Sequence, residues 1–336
     1  MGQAFTKFQY GKELKTAHGT AVAATRMALL DRMPIKTDRK PEFIEDAIGV
    51  RAAGYRTRID QYFWQDTLKL SHGYFNILPM IFSCGLSGDI TPAEATPAQG
   101  DYVWDHTPSM TGTNDIDSIT LELGDDIQAY EVEYLMFQRI KISGKVVQGA
   151  EVAAVAIEAE AFGRQLSPTT FTGALSLPTV ENMNAKLARL YVNPSWATVG
   201  TTEKVGILRG FEAEILTGVH PKFWGSANKY LDSHGEDVIS AMLTLDLEGG
   251  AVADGFWDDL RSQALAVARL EILGSQIGTG TPHRLAIDVG GKWSDVTPQS
   301  EYDKGNTLYK AVLQSLYETT GAKVCQVSVT TNQNTL

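Results

Sequence analysis

Histidine is the side chain that most often binds metals or moves protons near neutral pH, and this chain has six. They are His18, His72, His106, His220, His234 and His283. No two are spaced as a metal-ligand pair on a helix. The acidic groups at residues 115–117, 125–126 and 258–259 are more simply a polar loop, a turn and a helix start than cation sites. The spacing therefore predicts no metal site and no catalytic histidine.

Three glycine-rich stretches contain parts of catalytic or nucleotide-binding motifs without completing them. Residues 278–281 lack the lysine of a phosphate-binding loop, and residues 290–292 have no Ser or Thr after the lysine. Residues 85–88 lack the glycine spacing of a nucleophile elbow. Cys84 and Cys325 are too few for a disulfide framework or a four-cysteine zinc site. We therefore expect a protein that is not an enzyme and binds no cofactor.

Length and charge narrow the class of protein further. The 336 residues predict about two domains, since one domain takes roughly 150 residues. The net charge of −11 repels nucleic-acid phosphates and disfavours a sequence-specific DNA-binding protein. No apolar run reaches the ~18 residues that cross a bilayer. Residues 1–15 are polar and predict no signal peptide.

The elements that would position any site are mostly short strands. Residues 118–123 alternate apolar and polar side chains, which predicts a half-buried strand. Further strands are predicted over residues 128–142, 151–160, 187–192 and 284–289. Helices are predicted over residues 73–84, beginning or kinking near Pro79, and over residues 255–264, with Asp254 as the N-cap. The sequence therefore predicts a mainly β fold with short helices.

The two halves of the chain match each other at several points in the same order. The matched pairs are Pro41 and Phe43 with Pro221 and Phe223; residues 67–70 with 244–247; residues 119–124 with 285–290; and residues 154–155 with 311–312. These matches predict an internal duplication. One protein with similarly spaced strands is the alternative interpretation.

Several segments together resemble the major tail tube proteins of long non-contractile-tailed bacteriophages. They are residues 11–26, 117–130, 162–165, 171–177, 218–223, 232–236 and 286–296, running on to Asp303. The resemblance covers essentially the whole chain. It implies a fold of two packed antiparallel sheets with a flanking helix. Rings of this fold stack into a tail tube, which is a structural virion component that conducts DNA into the host.

Most members of that family carry one copy of the fold and form hexameric rings, whereas some carry two and form trimeric, pseudo-hexameric rings. The internal matches favour the second arrangement. We expect an N-terminal arm (residues 1–26), a first copy (27–165), a linker (166–186), a second copy (187–320) and a C-terminal arm (321–336). The arms are candidates for crossing to neighbouring subunits, and simple fraying is the alternative.

Two polar excursions, residues 35–58 and 214–234, are long for hairpin loops and are expected to contact the adjacent ring. Their candidate interface residues are Arg39, Pro41, Phe43, Arg51, Arg56, His220, Pro221, Lys222, Phe223 and Trp224. The net negative charge suggests an acidic channel that lets DNA slide. Its candidate residues are Glu122, Glu131, Glu133, Glu158 and Glu160, for which an outer, solubilising face is the alternative.

The expected partners are further copies of the chain, with double-stranded DNA passing through without specific binding. The resemblance also implies a tape measure protein and tail terminator or tail tip proteins. It implies assembly in the host cytoplasm, localisation in the virion and no insertion into a membrane. Two other functions stay open at this point: a β-sandwich adhesin or decoration protein of a virion, and a β-rich glycan-active enzyme.

Overall fold

A computed structural model describes residues 6–31, 35–52, 54–146, 152–303 and 306–336, and over these the chain is mainly β. The strands are β1 (Lys7–Lys12), β2 (Arg26–Ala28), β3 (Glu42–Ile44), β4 (Arg56–Arg58), β5 (Trp64–Leu70), β6 (Ala93–Glu94), β7 (Tyr102–His106), β8 (Ile119–Gly124), β9 (Ala129–Lys145), β10 (Val155–Gly163), β11 (Leu166–Thr169), β12 (Ala188–Asn193), β13 (Leu208–Leu216), β14 (His220–Lys222), β15 (Ser233–Gly235), β16 (Ser240–Glu248), β17 (Ala266–Gln276), β18 (Pro282–Asp303), β19 (Asn306–Ser315) and β20 (Cys325–Thr331). The α-helices are α1 (Leu78–Ser83) and α2 (Ala251–Ser262). The mainly β prediction is confirmed.

Seven strands form a continuous antiparallel sheet, which we call the long sheet. Its order is β5-β10-β9-β13-β16-β19-β18. Its middle joint pairs β9 with β13 from Arg139 opposite Leu216 to Lys145 opposite Gly210, and so connects the two halves of the chain. Apolar residues of these strands alternate with polar ones, and the apolar side is buried.

The two longest strands leave the long sheet and enter a second layer. The first part of β9 pairs with β8 and β11, and the first part of β18 pairs with β17 and β20. At the turning point of β9, Tyr134 adopts a φ of 57° within a bulge. At the turning point of β18, a Cβ atom added to Gly291 would lie 1.9 Å from the carbonyl oxygen of Gln314. Only glycine therefore fits this close approach.

The two halves follow the same order of elements and the same pairing. In the first half β1 pairs with β8, β8 with β9, β9 with β10, and β10 with β5. In the second half β12 pairs with β17, β17 with β18, β18 with β19, and β19 with β16. A helix follows β5 and β16, and a short hairpin precedes each: β3–β4 and β14–β15.

The sequence matches agree with this order only in part. Residues 67–70 and 244–247 lie in the corresponding strands β5 and β16, with the same alternation of buried positions. Residues 119–124, however, lie in β8, whose counterpart by pairing is β17, whereas residues 285–290 lie in β18. Residues 154–155 are also out of step with 311–312, because Val155 is buried whereas Val312 is not. Those two matches are therefore wrong as an alignment.

One large core includes buried residues from both halves, so the predicted boundary at residues 166–186 does not separate two cores. Within that segment, residues 166–169 form β11 and pair with β9. The predicted arms also contain sheet strands. β1 lies between β2 and β8, and β20 lies between β18 and β7. Residues 7–12 and 325–331 are therefore part of the subunit and do not extend away from it.

The helices and β8 differ from the predictions in detail. All six residues of α1 are buried, and Pro79 stands at its start, where a missing N–H costs nothing. The N-cap of α2 is Gly250, so Asp254 is a first-turn residue and not the predicted N-cap. Every residue of β8 is buried, so the half-buried prediction is wrong: other segments of the chain cover the polar side of this strand.

Candidate assembly surfaces

The uncovered side of the long sheet is a charged face. Arg139 on β9 places Nε 2.5 Å from Oε1 of Glu214 and Nη1 2.7 Å from Oε1 of Glu160. Lys141, two residues along β9, places Nζ 2.8 Å from Oε2 of Glu212. These ion pairs link three neighbouring strands across the joint between the halves. The carboxylates hold the pKa of Arg139 above its ordinary value, chiefly through the hydrogen bond to Glu214.

The charged face is balanced among the described residues. Its basic side chains are Lys69, Arg139, Lys141, Lys145, Arg209, Lys292 and Lys310; its acidic side chains are Glu158, Glu160, Glu212, Glu214, Asp246, Glu248 and Asp295. The net charge of −11 is therefore carried elsewhere on the chain. Ion pairs within the face engage four of these seven cations, Lys69, Arg139, Lys141 and Arg209, which reduces the number of free basic groups offered to a phosphate backbone.

The five glutamates predicted to face a channel lie in three different places. Glu158 and Glu160 are on the charged face, opposite Lys69 and Arg139. Glu131 and Glu133 are half-buried in the second layer, where desolvation raises the pKa of Glu133. The prediction for Glu122 is wrong. Its carboxylate is buried, because the segments at residues 24 and 172 cover it and donate three hydrogen bonds to it.

Both ends of the long sheet present an edge. Residues 292–297 of β18 pair with β19 on one side and, within the described part of the chain, with no strand on the other. At the other end, residues 29–31 and 35–38 follow the outer edge of β5. The N–H of Asp31 donates to the Lys69 carbonyl oxygen at 2.9 Å, and the N–H of Phe63 donates to that of Asp38 at 2.9 Å. This segment occupies the place beside β5 that β13 occupies beside β16.

The first excursion is the β3–β4 hairpin with its long tip, and it is largely exposed. Arg56 makes two bonds to Asp46, at 2.9 and 2.6 Å, and Arg58 bonds Glu42 on the opposite strand at 3.1 Å. The side chain of Phe43 is 74% exposed. The hairpin is therefore braced by its own ion pairs and not by a hydrophobic core.

The predicted interface residues of this excursion differ in whether their side chains already contact other residues of the subunit. Pro41 and Arg51 are exposed, as is Arg39. The guanidinium of Arg39 stacks over the Tyr62 ring at 4.5 Å, and that of Arg56 is held by the ion pair within the hairpin. Arg39 and Arg56 thus already have partners inside the subunit.

The second excursion, β14–β15, packs on the body and on the base of the first. Phe223 meets Phe63 edge to face at 5.7 Å, within a small cluster around Met136, Phe162 and Leu231. The N–H of Tyr62 donates to the Lys229 carbonyl oxygen at 2.8 Å. Both excursions therefore leave the same end of the long sheet.

The remaining predicted residues of the second excursion lie on β14 and just after it. His220 and Pro221 are half-buried, whereas Lys222 is exposed. Trp224 is 63% exposed although its backbone N–H is held by Asp232 at 2.8 Å. An exposed tryptophan on a fixed backbone is a typical anchor for a partner surface.

A buried polar network ties the N-terminal segment to the bulge of β9. The Glu13 carboxylate accepts four hydrogen bonds: from Gly19 N at 2.6 Å, Tyr134 N at 2.8 Å, Ser118 Oγ at 2.5 Å and Thr120 Oγ1 at 3.0 Å. The side chain is only 2% exposed. The carboxylate thus satisfies the N–H of the strained residue Tyr134, which has left the strand ladder.

The same network reaches the second excursion. The Tyr134 hydroxyl lies 3.0 Å from Nδ1 of His234, and the His18 ring lies between 5 and 6 Å from both rings. Arg164 stacks on the Tyr134 ring at 5.1 Å and donates to the Gly19 carbonyl oxygen at 2.6 Å. Desolvation lowers the pKa of His18 and of His234, so both rings favour the neutral form.

Sequence spacing could not reveal this network, because His18 and His234 are far apart in the chain. One signal was available: four of the segments that carry the family resemblance supply its members. Residues 11–26 contain Glu13 and His18, residues 117–130 contain Ser118, residues 162–165 contain Arg164, and residues 232–236 contain His234. These segments therefore meet at one place in the structure.

The network does not have the geometry of a nucleophilic site. Ser118 stands between His18 and Glu13, with contacts of 2.6 and 2.5 Å, whereas a catalytic triad places the histidine between serine and acid. Ser118 is also fully buried. Over the described ranges, no three His, Cys, Asp or Glu side chains cluster closely enough to hold a metal ion. In the same residues, no helix has the length and apolarity to cross a membrane.

Comparison with known proteins adds no relative to this description. No protein-family model matches the chain, and no curated protein matches it.

Proposed function

We propose that the chain is a tail tube subunit that assembles head to tail into a ring, and that rings stack into a conduit for DNA. The observation that carries the proposal is the repeated pairing order around the long sheet. Within one chain, residues 139–145 of β9, in the first half, pair with residues 210–216 of β13, in the second half. The counterpart edges, β18 and the segment beside β5, stand at the two ends of the sheet.

The joint inside the chain supplies a template for the joint between chains. Residues 292–297 of one subunit would pair with residues 29–31 and 35–38 of the next, as β9 pairs with β13. Pro298 has no N–H to donate, so this pairing would end there. Closing the edges in this way also removes two strands that could otherwise recruit the wrong partner.

Three chains fit this arrangement, since each contributes two copies of the repeated unit. From the strand pairing we propose that the two copies are residues 7–163 and 188–315, in place of the expected 27–165 and 187–320. Three long sheets would give a barrel of more than ~20 strands, and barrels of ~16–18 strands already enclose an aqueous channel. The charged face would line it, because the second layer covers the other side of the sheet.

A balanced face suits a channel for DNA in a different way from an acidic one. Four of its seven cations are held by carboxylates of the same face, so a phosphate must compete with an existing partner at Lys69, Arg139, Lys141 and Arg209. The surface would neither bind DNA strongly nor repel it strongly. The exposed side chains of Phe43, on β3 of the first excursion, and of Trp224, on the second excursion, would meet the next ring.

Electron microscopy of the purified protein tests the proposal. Stacked rings with a central channel and three chains per ring are expected. A protein that stays monomeric at high concentration would refute it.

A further inference from the structure

The end of the long sheet that carries the excursions also holds an apolar groove, which we call the end groove. It encloses about 530 Å³ between residues 109–114, residues 236–239, Tyr317 and Val324. Val238 on its wall is 79% exposed and Tyr317 is 46% exposed. The wall is firm, because Asn114 donates three hydrogen bonds to the Glu236 carboxylate.

The charged groups that line the end groove are acidic. They are Glu236, which is engaged with Asn114, and Asp237, which is exposed. An occupant of this groove should therefore be apolar and carry a positive charge.

The tip of the β3–β4 hairpin has that character. Its sequence from residue 47 to 55 contains one charged residue, Arg51. Val50 is 65% exposed, Tyr55 is 77% exposed and Ile48 is 37% exposed. Within the described residues Arg51 has no carboxylate partner, in contrast to Arg56 in the same hairpin.

The ring geometry brings the two features together. The end groove lies at the ends of β16 and β19, one or two strands in from the free edge of β18. The hairpin leaves the chain beside β5, at the opposite edge and the same end. In a head-to-tail ring, the hairpin of one subunit therefore stands three or four strands from the groove of the next, about 15–20 Å at 4.8 Å per strand. One arm of the hairpin, about ten extended residues from its base to its tip, reaches roughly 33 Å and so can span this distance.

We propose that the tip of the β3–β4 hairpin docks in the end groove of the next subunit within the same ring. Val50 and Tyr55 would cover the apolar wall at Val238, and Arg51 would face Asp237. This inference rests on the head-to-tail ring. The docked hairpin would form a second contact between neighbouring subunits, in addition to the pairing of their sheet edges.

Cysteine cross-linking tests the inference. The variant carries Val50→Cys and Val238→Cys, and both native cysteines are buried, so the new thiols alone are accessible. Under mild oxidation we expect covalent products that stop at the trimer, since docking within a ring closes on itself. Mixed single variants should give covalent dimers. The control pairs Val50→Cys with Val205→Cys, which is similarly exposed at 73% and should not cross-link.

The outcomes separate this inference from the proposed function. Rings without cross-links would overturn the docking and leave the ring intact. A ladder that continues beyond the trimer would also overturn it, because the hairpin would then reach another ring. Cross-links formed within a single chain, or cross-linking no stronger than that of the control, would likewise overturn the docking. If the unmodified protein forms no rings, the proposed function fails and this inference fails with it.

Discussion

Replacing Glu13 should destabilise the subunit more than any substitution at its surface. The carboxylate is buried and accepts four hydrogen bonds, two of them from backbone N–H groups that have no other described acceptor. A hydrogen bond to a charged group contributes ~1.5–3 kcal/mol, and each stranded donor adds a desolvation cost. Because relaxation recovers part of this sum, we expect Glu13→Ala to lower the free energy of unfolding by about 4 kcal/mol.

Thermal unfolding followed by circular dichroism measures this loss. With an unfolding entropy of ~2.1 cal/mol/K per residue, a cost of 4 kcal/mol lowers the Tm of a 336-residue chain by about 6 °C. Glu45→Ala is the matched control, because that carboxylate is exposed, and it should change stability by less than ~0.5 kcal/mol. If Glu13→Ala unfolds within 1 °C of the unmodified protein, the N-terminal segment is not held in the subunit as described here.

Three further predictions concern other parts of the molecule. Burial lowers the pKa of His106 to about 4, so the folded state resists protonation of this ring. Stability is therefore lost as the pH falls from ~6.5 towards 4, and by linkage the loss approaches about 3 kcal/mol. His106→Phe should flatten the dependence of Tm on pH between those values. Phe43→Ser combined with Trp224→Ser should leave Tm unchanged, because both side chains are exposed, but it should shorten or abolish the tubes seen in micrographs. The control Trp257→Ser, on the exposed side of α2, should leave the tubes intact. Arg139→Ala should cost only about 1 kcal/mol in urea unfolding, since its two ion pairs are partly exposed, and a cost above ~3 kcal/mol would mean that the charged face is more buried than described.

The sequence predicted strands well where their environment repeats along the chain. The apolar alternation over residues 155–160 marks the buried side of β10, where Val155, Ile157 and Ala159 are buried and the residues between them are half-buried. The same rule failed for β8. Thr120 and Glu122 are polar yet buried, because segments from residues 22–24 and 172 fold over them. Long-range coverage of this kind leaves no local pattern.

Residue spacing along the chain could not predict the polar network, for a similar reason. Its members come from five separate segments, and each is an ordinary residue in its own segment. His18 and His234 become neighbours only through the pairing of β1 with β8 and the packing of the second excursion. The internal sequence matches were different: their order suggested two similar halves, but the strand pairing was needed to show which strands correspond.

The ring itself is the central claim, and electron microscopy of the purified protein tests it most directly. Class averages should show rings with six lobes around an open channel, built from three chains of 36.6 kDa each, and the rings should stack. A particle that remains a monomer at every concentration, or a ring of six chains, would contradict the account.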